Sequence, residues 1–262
     1  MDNSNNMDLM IDTLVELTQT EPAHQTPPIT GLPTLKSVLT DISPLPREAL
    51  FLGLADDDLP VLLNLQDPLP GPLLIIGDQA CGKTNFLQTI ARAVDLLHTK
   101  DYVQYCIVTS QPDEWQGFKS NQNNAGIYSA LDGNAEELIQ SLFTWAHHNK
   151  GEQQSILLMI DDFEKVAKKD SQVEQHLRWL LMRGPSRHVW PIVTLNASRA
   201  RHLQAWMDFF HTRLVGQIED IDQATFITGN PKQSLSHLIA GSQFVLREDS
   251  DVLYFRVLSI EY

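Results

Sequence analysis

Beyond Leu50 the chain alternates short apolar runs with longer stretches whose apolar residues recur every three or four positions. The short runs, at 72–76, 102–109, 126–129, 156–160, 190–195 and 213–218, are of strand length. The stretches between them, at 84–97, 135–148, 171–182 and 199–209, predict helices. Strand and helix in alternation is the pattern of βαβ units and a mainly parallel sheet flanked by helices, an α/β fold. At the end of the chain, 243–247 and 252–260 flank Glu248-Asp249-Ser250-Asp251 and predict an antiparallel hairpin.

Residues 1–34 differ in kind. They mix Asn, Thr, Gln and Pro and read as a flexible polar and acidic tail, with a folded domain over 35–262. Within the tail, 7–18 (MDLMIDTLVELT) has Leu9, Ile11, Leu14, Val15 and Leu17 near helical spacing. It reads as a short helix on the tail or as a docking helix for a partner.

Composition narrows the classes. With 262 residues and 42% hydrophobic content the chain can bury one sizeable core. No apolar run approaches the roughly 18 residues of a membrane span, and the polar, acidic start lacks a basic leader region. Two cysteines, Cys81 and Cys106, build no disulfide framework, so a reducing, cytoplasmic setting is expected. The net charge of −14 repels nucleic acid and acidic membranes at long range.

The strongest chemical signal is Gly77-Asp78-Gln79-Ala80-Cys81-Gly82-Lys83-Thr84, which fits G-x-x-x-x-G-K-[ST] in full. Leu73-Leu74-Ile75-Ile76 feeds it as a strand, and a helix-forming stretch opens at Asn85. Two glycines let the main chain curl so that successive N–H groups face one anion, and the helix N-terminus adds partial positive charge. Residues Gly77 to Asn85 are therefore expected to cradle the phosphates of ATP. Lys83 would reach the β- and γ-phosphates, and Thr84 would offer its hydroxyl to Mg²⁺. Cys81 lies inside the loop, so an alkylating reagent there is expected to block nucleotide without the thiol doing chemistry.

A second signal follows in Ser155-Ile156-Leu157-Leu158-Met159-Ile160-Asp161-Asp162. An apolar strand ending in acids places carboxylates at the carboxyl edge of a parallel sheet, where ligands bind. Asp161 would serve Mg²⁺, and Asp162 would polarise the attacking water, with Glu164 two residues on. A third strand ends at Asn196, which would either sense the γ-phosphate or cap the next helix; Thr194 is the reserve. Arg183, Arg187, Arg199 and Arg213 flank that strand as candidates for a trans-acting arginine. His147-His148 would point apart on a helix and read as a solvated face.

With these pieces in order, the chain resembles the FtsK/HerA superfamily of P-loop motor ATPases, and within it the FtsK/SpoIIIE-type domains of EccC, the type VII secretion ATPase. The resemblance runs from about Leu50 to Tyr262. It is carried by Leu52-Gly53-Leu54-Ala55-Asp56-Asp57 before the P-loop and by Arg183-Gly184-Pro185-Ser186-Arg187-His188-Val189 before the sensor strand. Phe210-His211-Thr212-Arg213-Leu214, Ile221-Asp222-Gln223-Ala224 and the closing Gly241-Ser242-Gln243-Phe244 complete it. Asn196 stands in place of the usual glutamine, and Asp162 stands in place of the catalytic glutamate, the second replacement being one also found in the later EccC domains.

The resemblance implies a RecA-like, additional-strand (ASCE) core with a C-terminal hairpin, and Lys83, Asp162, Asn196, Arg187 and Arg213 as catalytic residues. It implies slow or conditional ATP hydrolysis, self-association into a ring or filament, and movement of a polymer. The acidic balance favours protein over DNA as that polymer. The alternative is a nucleotide-dependent interaction module that never turns ATP over; no acceptor-site pattern supports a metabolic kinase.

Overall fold

The computed structural model describes residues 33–149, 154–167, 171–231, 234–248 and 251–260. The chain divides after Leu32, and all described residues belong to the second unit, Pro33–Tyr262. The expected 7–18 helix, with most of the 1–34 tail, lies outside the described residues.

The strands are β1 (Ala49–Ala55), β2 (Pro60–Asn64), β3 (Leu73–Gly77), β4 (Val103–Thr109), β5 (Asn124–Ser129), β6 (Ser155–Ile160), β7 (Val189–Asn196), β8 (Thr212–Val215), β9 (Gln243–Glu248) and β10 (Asp251–Arg256). They form one sheet in the order β2-β1-β10-β9-β8-β3-β7-β6-β4-β5. From β8 to β5 every neighbouring pair is parallel. From β2 to β8 every pair is antiparallel. The strand β7 therefore lies between the P-loop strand β3 and the acid strand β6, which is the additional-strand arrangement.

Alternation along the strands explains the layers. Leu73 and Ile75 of β3 face one core with Tyr105, Ile107, Leu157 and Met159. Leu74 and Ile76 face the other, with Cys106, Val108, Leu158 and Ile160. Central parallel strands are thus apolar on both sides, as a sheet covered on both faces requires. The helix α2 (Lys83–Leu97) closes the first face through Phe86, Leu87, Ile90, Ala91 and Val94, a single stripe at helical spacing. The second face is closed by α3 (Asn134–His148) and α5 (Ser171–Arg183), which pack on each other and bury Ile139, Leu142, Leu177 and Leu181.

Two features depart from the sequence pattern. The stretch 199–209 is not one α-helix: a 3₁₀ segment, Ala197–Leu203, precedes the short α6 (Gln204–Met207). Its buried residues Ala197, Ala200 and Leu203 recur every three positions, the period of a 3₁₀ helix rather than an α-helix. An additional helix, α1 (Leu35–Ile42), is capped by Thr34, whose hydroxyl accepts from the Ser37 N–H. It packs Leu35, Val38 and Leu39 against Phe51, Leu54, Ala93 and Leu258. Two short helices complete the elements used below, α4 (Phe163–Val166) and α7 (Ile221–Thr228).

Candidate nucleotide site

The P-loop joins β3 to α2 at the carboxyl edge of the parallel strands. Its curl depends on left-handed main chain at Ala80 (φ 62°) and Gly82 (φ 94°). A Cβ at Gly82 would stand 2.4 Å from the Gly241 Cα, because the turn before β9 packs directly on the loop. The Gly241 N–H also donates to the Cys81 carbonyl at 2.9 Å. The first turn of α2 contains no acidic residue, so its N–H groups and dipole face the cavity without an internal anion.

Lys83 reaches back across the loop, donating to the Asp78 carbonyl at 2.6 Å and the Gly77 carbonyl at 3.2 Å. The Asp78 carboxylate accepts from the Glu219 N–H at 2.9 Å and ties the loop to the segment after β8. Cys81 does not face the cavity. Its side chain is buried, and its Sγ lies 2.6 Å from where a Gly77 Cβ would stand and 3.0 Å from a Gly216 Cβ. Burial pushes its thiol pKa up, with Lys83 pulling weakly the other way. The expectation that Cys81 offers a handle for alkylation is corrected by this placement: the thiol sits beneath the loop, protonated and screened.

The acids form one connected group. Asp161 is buried, and its two carboxylate oxygens are each taken by a threonine. Thr84 Oγ1 donates to Oδ2 at 2.9 Å and Thr194 Oγ1 donates to Oδ1 at 2.7 Å. Thr194 Oγ1 in turn accepts the Asp162 N–H at 2.9 Å. Burial raises the Asp161 pKa, while the two threonine hydrogen bonds and Lys83 pull it down and the Asp162 charge adds to the rise. Asp162 takes a left-handed conformation (φ 69°), and its Oδ2 accepts the Ser110 hydroxyl at the end of β4. Thr194 thus binds the acids together; it is buried and is not among the residues lining the cavity.

Asn196 pairs in register with Gly77, which sets it beside the start of the P-loop. Both of its expected roles are compatible with its position. Its Oδ1 caps the 3₁₀ segment by accepting from the Ser198 N–H at 3.1 Å, and its side chain lines the cavity.

The cavity is about 740 Å³, room enough for a nucleotide. Gln79, Ala80, Gly82, Lys83, Thr84 and Asn85 line it from the P-loop, and Asp161, Asp162 and Asn196 from β6 and β7. Glu164 and Arg199 also line it, as do Gln88, Gln111 and Glu114, which no motif had marked. Burial and the charges of Asp161 and Asp162 raise the Glu114 pKa, a sign of excess negative charge.

The remaining predicted arginines are elsewhere. Arg187 precedes β7 at the opposite edge of the sheet and donates to the Asn149 carbonyl at 3.1 Å. Arg213, at the start of β8, donates to the carbonyls of Phe210, Ile227 and Met207. Neither lines the cavity of its own chain. Of the four arginines considered, Arg199 alone does. His147 and His148 are both exposed on α3, as a solvated face requires, with the His147 ring also lying against Phe143 and Trp179.

No family model matches the chain, and no curated protein does. Solved structures do. A Thermomonospora curvata EccC structure (ATPases 2 and 3, with a signal sequence peptide) matches at TM-score 0.66 and 16% identity, over 88% of this chain and 42% of that one. The pCW3 conjugation coupling protein TcpA matches at TM-score 0.66 and 14% identity, over 82% of this chain and 67% of that one. The genome packaging NTPase B204 of Sulfolobus turreted icosahedral virus 2 matches at TM-score 0.53 and 10% identity, over 75% of this chain and all of that one. The chain spans less than half the length of the EccC structure and of an EssC structure from Geobacillus thermodenitrificans. These likenesses establish the fold, a RecA-like P-loop fold shared with the EccC, TcpA and B204 structures.

Proposed function

We propose that this protein binds ATP with Mg²⁺ and hydrolyses it slowly or conditionally, coupling the cycle to self-association and to movement of a polymer. The observation that carries the reading is that Thr84, Asp161 and Asp162, tied together through the buried Thr194, share one cavity with Lys83. The donor set fits Mg²⁺: a threonine hydroxyl and a carboxylate, both hard oxygen ligands, already stand within 2.9 Å of each other. Thr84 and Asp161 would hold the ion, which would supply positive charge against the charge that develops on the phosphates.

The chain's own residues do the rest. The loop N–H groups between Gly77 and Asn85 hold the phosphates, save that of Asp78, which donates to the Gln217 carbonyl, and Lys83 gives up its carbonyl partners for the β- and γ-oxygens. Asp162 orients the attacking water, and Asn196 contacts the γ-phosphate. Arg187 or Arg213 would act only from a neighbouring subunit, and for Arg213 that means surrendering three carbonyls. The structures it resembles belong to secretion, conjugation and genome packaging proteins, which supports a translocation role. The charge of −14 supports a protein polymer over DNA.

A second reading is favoured by the Asp162 carboxylate. It is one methylene shorter than glutamate and already engaged by Ser110, which suits a module that binds nucleotide without turnover. Titration with a fluorescent ATP analogue and Mg²⁺ should give saturable binding that Lys83→Ala abolishes; absence of binding refutes both readings. Phosphate release then separates them. Wild-type turnover lost in Lys83→Ala supports the ATPase, and tight binding with no release in wild type supports the module. Stimulation by double-stranded DNA would reverse the preference for protein. Among the described residues no helix is long and apolar enough to cross a membrane.

A further inference from the structure

We infer that Arg199 reads the terminal phosphate of a bound nucleoside triphosphate from within the same chain, and that Glu164 holds its guanidinium ready until that phosphate arrives. The inference rests on the nucleotide-binding reading above and adds to it the residue that tells triphosphate from diphosphate.

Two loops bring the pair together. Glu164 lies in α4, just past the acids that end β6, and Arg199 lies in the 3₁₀ segment just past Asn196. Both line the cavity that holds Lys83, Thr84 and Asp161. Arg199 Nε stands 3.7 Å from Glu164 Oε2, inside ion-pair range and outside hydrogen-bond range. That carboxylate oxygen is buried and accepts no hydrogen bond among the described residues. The Arg199 side chain is 56% exposed, so little packing restrains it from swinging.

The other engaged arginines are held differently. Arg213 donates to three carbonyls, Arg187 and Arg201 to one each, Arg178 pairs with Glu174 while covering Trp206, Arg256 donates a close hydrogen bond to Asp58, and Arg47 lies over Tyr102. Arg199 makes only its loose ion pair among the described residues. A planar guanidinium gains most from a phosphate that offers several charged oxygens in a fork. A P-loop holds the α- and β-phosphates, so a diphosphate keeps its charged terminal oxygens within the loop, and only a triphosphate carries a further set beyond it, toward Arg199. Glu164 therefore competes for Arg199 against the γ-phosphate and has no effect on diphosphate binding.

The test is a pair of binding titrations on the full chain, with ATPγS·Mg²⁺ and with ADP·Mg²⁺, which need no turnover. Wild type should prefer ATPγS, and Arg199→Ala should cut that preference by about tenfold while changing ADP affinity less than about twofold. Arg199→Lys should keep part of the preference. Glu164→Gln should tighten ATPγS several-fold and leave ADP alone, and the double variant should match Arg199→Ala. An unchanged preference in Arg199→Ala, or equal loss for both nucleotides, overturns the inference while leaving the nucleotide-binding reading intact. If wild type binds neither nucleotide, both fall together.

Discussion

The two edges of the parallel strands carry similar polar side chains and use them in opposite ways. At the P-loop edge, hydroxyls and carboxylates bond to one another: Thr84 and Thr194 to Asp161, and Ser110 to Asp162. At the far edge, polar side chains bond to the main chain. Arg213 donates to three carbonyls, Arg187 to Asn149, and Thr212 to the Pro70 carbonyl at 2.7 Å. There, a group bonded to backbone is spent on holding the fold, since exchange strands a carbonyl; at the P-loop edge Lys83 is the exception, its carbonyl partners belonging to the loop that would take the phosphates. Side chains bonded to other side chains around a cavity can trade partners when a ligand enters. Substitutions at the two edges should therefore fail in different assays.

Gly82→Ala should have the largest effect. The new Cβ demands a left-handed alanine and meets the Gly241 main chain at 2.4 Å. A loss of about 4 kcal/mol in denaturant stability is expected, together with loss of nucleotide binding, because the phosphate loop itself must open. Unaltered binding by this variant would mean the loop does not hold the ligand in the shape described.

Arg213→Ala belongs to the other edge. Three carbonyls lose a charged donor, so stability should drop by about 2–3 kcal/mol. Nucleotide affinity of the folded fraction should not change. If instead stability holds and ATP turnover by the assembled protein collapses, Arg213 is a finger and its hydrogen bonds are incidental.

The sequence made one of these edges readable and not the other. The P-loop, the acids after Ile160 and Asn196 declare themselves because each ends a short apolar run, and a strand end at a parallel sheet's carboxyl edge is where ligands bind. Ser110 ends β4 in the same way and could have been found by the same rule, but it gains meaning only once β4 is known to lie beside β6. Gln111 immediately precedes, and Glu114 lies in, the 3₁₀ segment Pro112–Phe118, which has no period to mark it. Arg187 and Arg213 look like free cations in a linear sequence; their partners are carbonyls, which every residue has and no pattern reveals. The 3₁₀ segment misled for a related reason, since Ala197, Ala200 and Leu203 at a three-residue period are easily taken for one turn of an α-helix.

Thr194→Val tests how much the acid group depends on one buried hydroxyl. The side chain keeps its volume, but Asp161 Oδ1 loses a donor and the Asp162 N–H loses an acceptor. Stability should fall by about 1–2 kcal/mol, and Mg²⁺-dependent nucleotide binding should weaken with it. Thr194→Ser should restore both. A valine variant that loses stability while binding nucleotide normally would move Thr194 into the same class as Arg213.

The smallest effect is expected from His188→Asn, beside Arg187 at the far edge. His188 sits at φ 60°, a conformation asparagine tolerates, so the main chain should not object. Its Nδ1 is buried and has no hydrogen-bond partner among the described residues, and burial holds its pKa below the ordinary 6.5. A depressed imidazole pKa means that the unfolded chain binds more protons than the native one once the pH falls below about 6.5. Stability contributed by the neutral ring is then present at pH 7.5 and lost as the solution is acidified. Asparagine carries no such proton, so the stability of the variant should decline less than that of wild type between pH 7.5 and 5. The Asp161 carboxyl, raised by its own burial, contributes a slope of the opposite sign; it is common to both proteins and cancels in the difference. Nucleotide affinity measured across the same range should coincide for the two proteins, because His188 is bound up with the fold and not with the cavity. A pH profile of binding that shifts with His188→Asn would show that the two edges communicate, and the division between them would have to be given up.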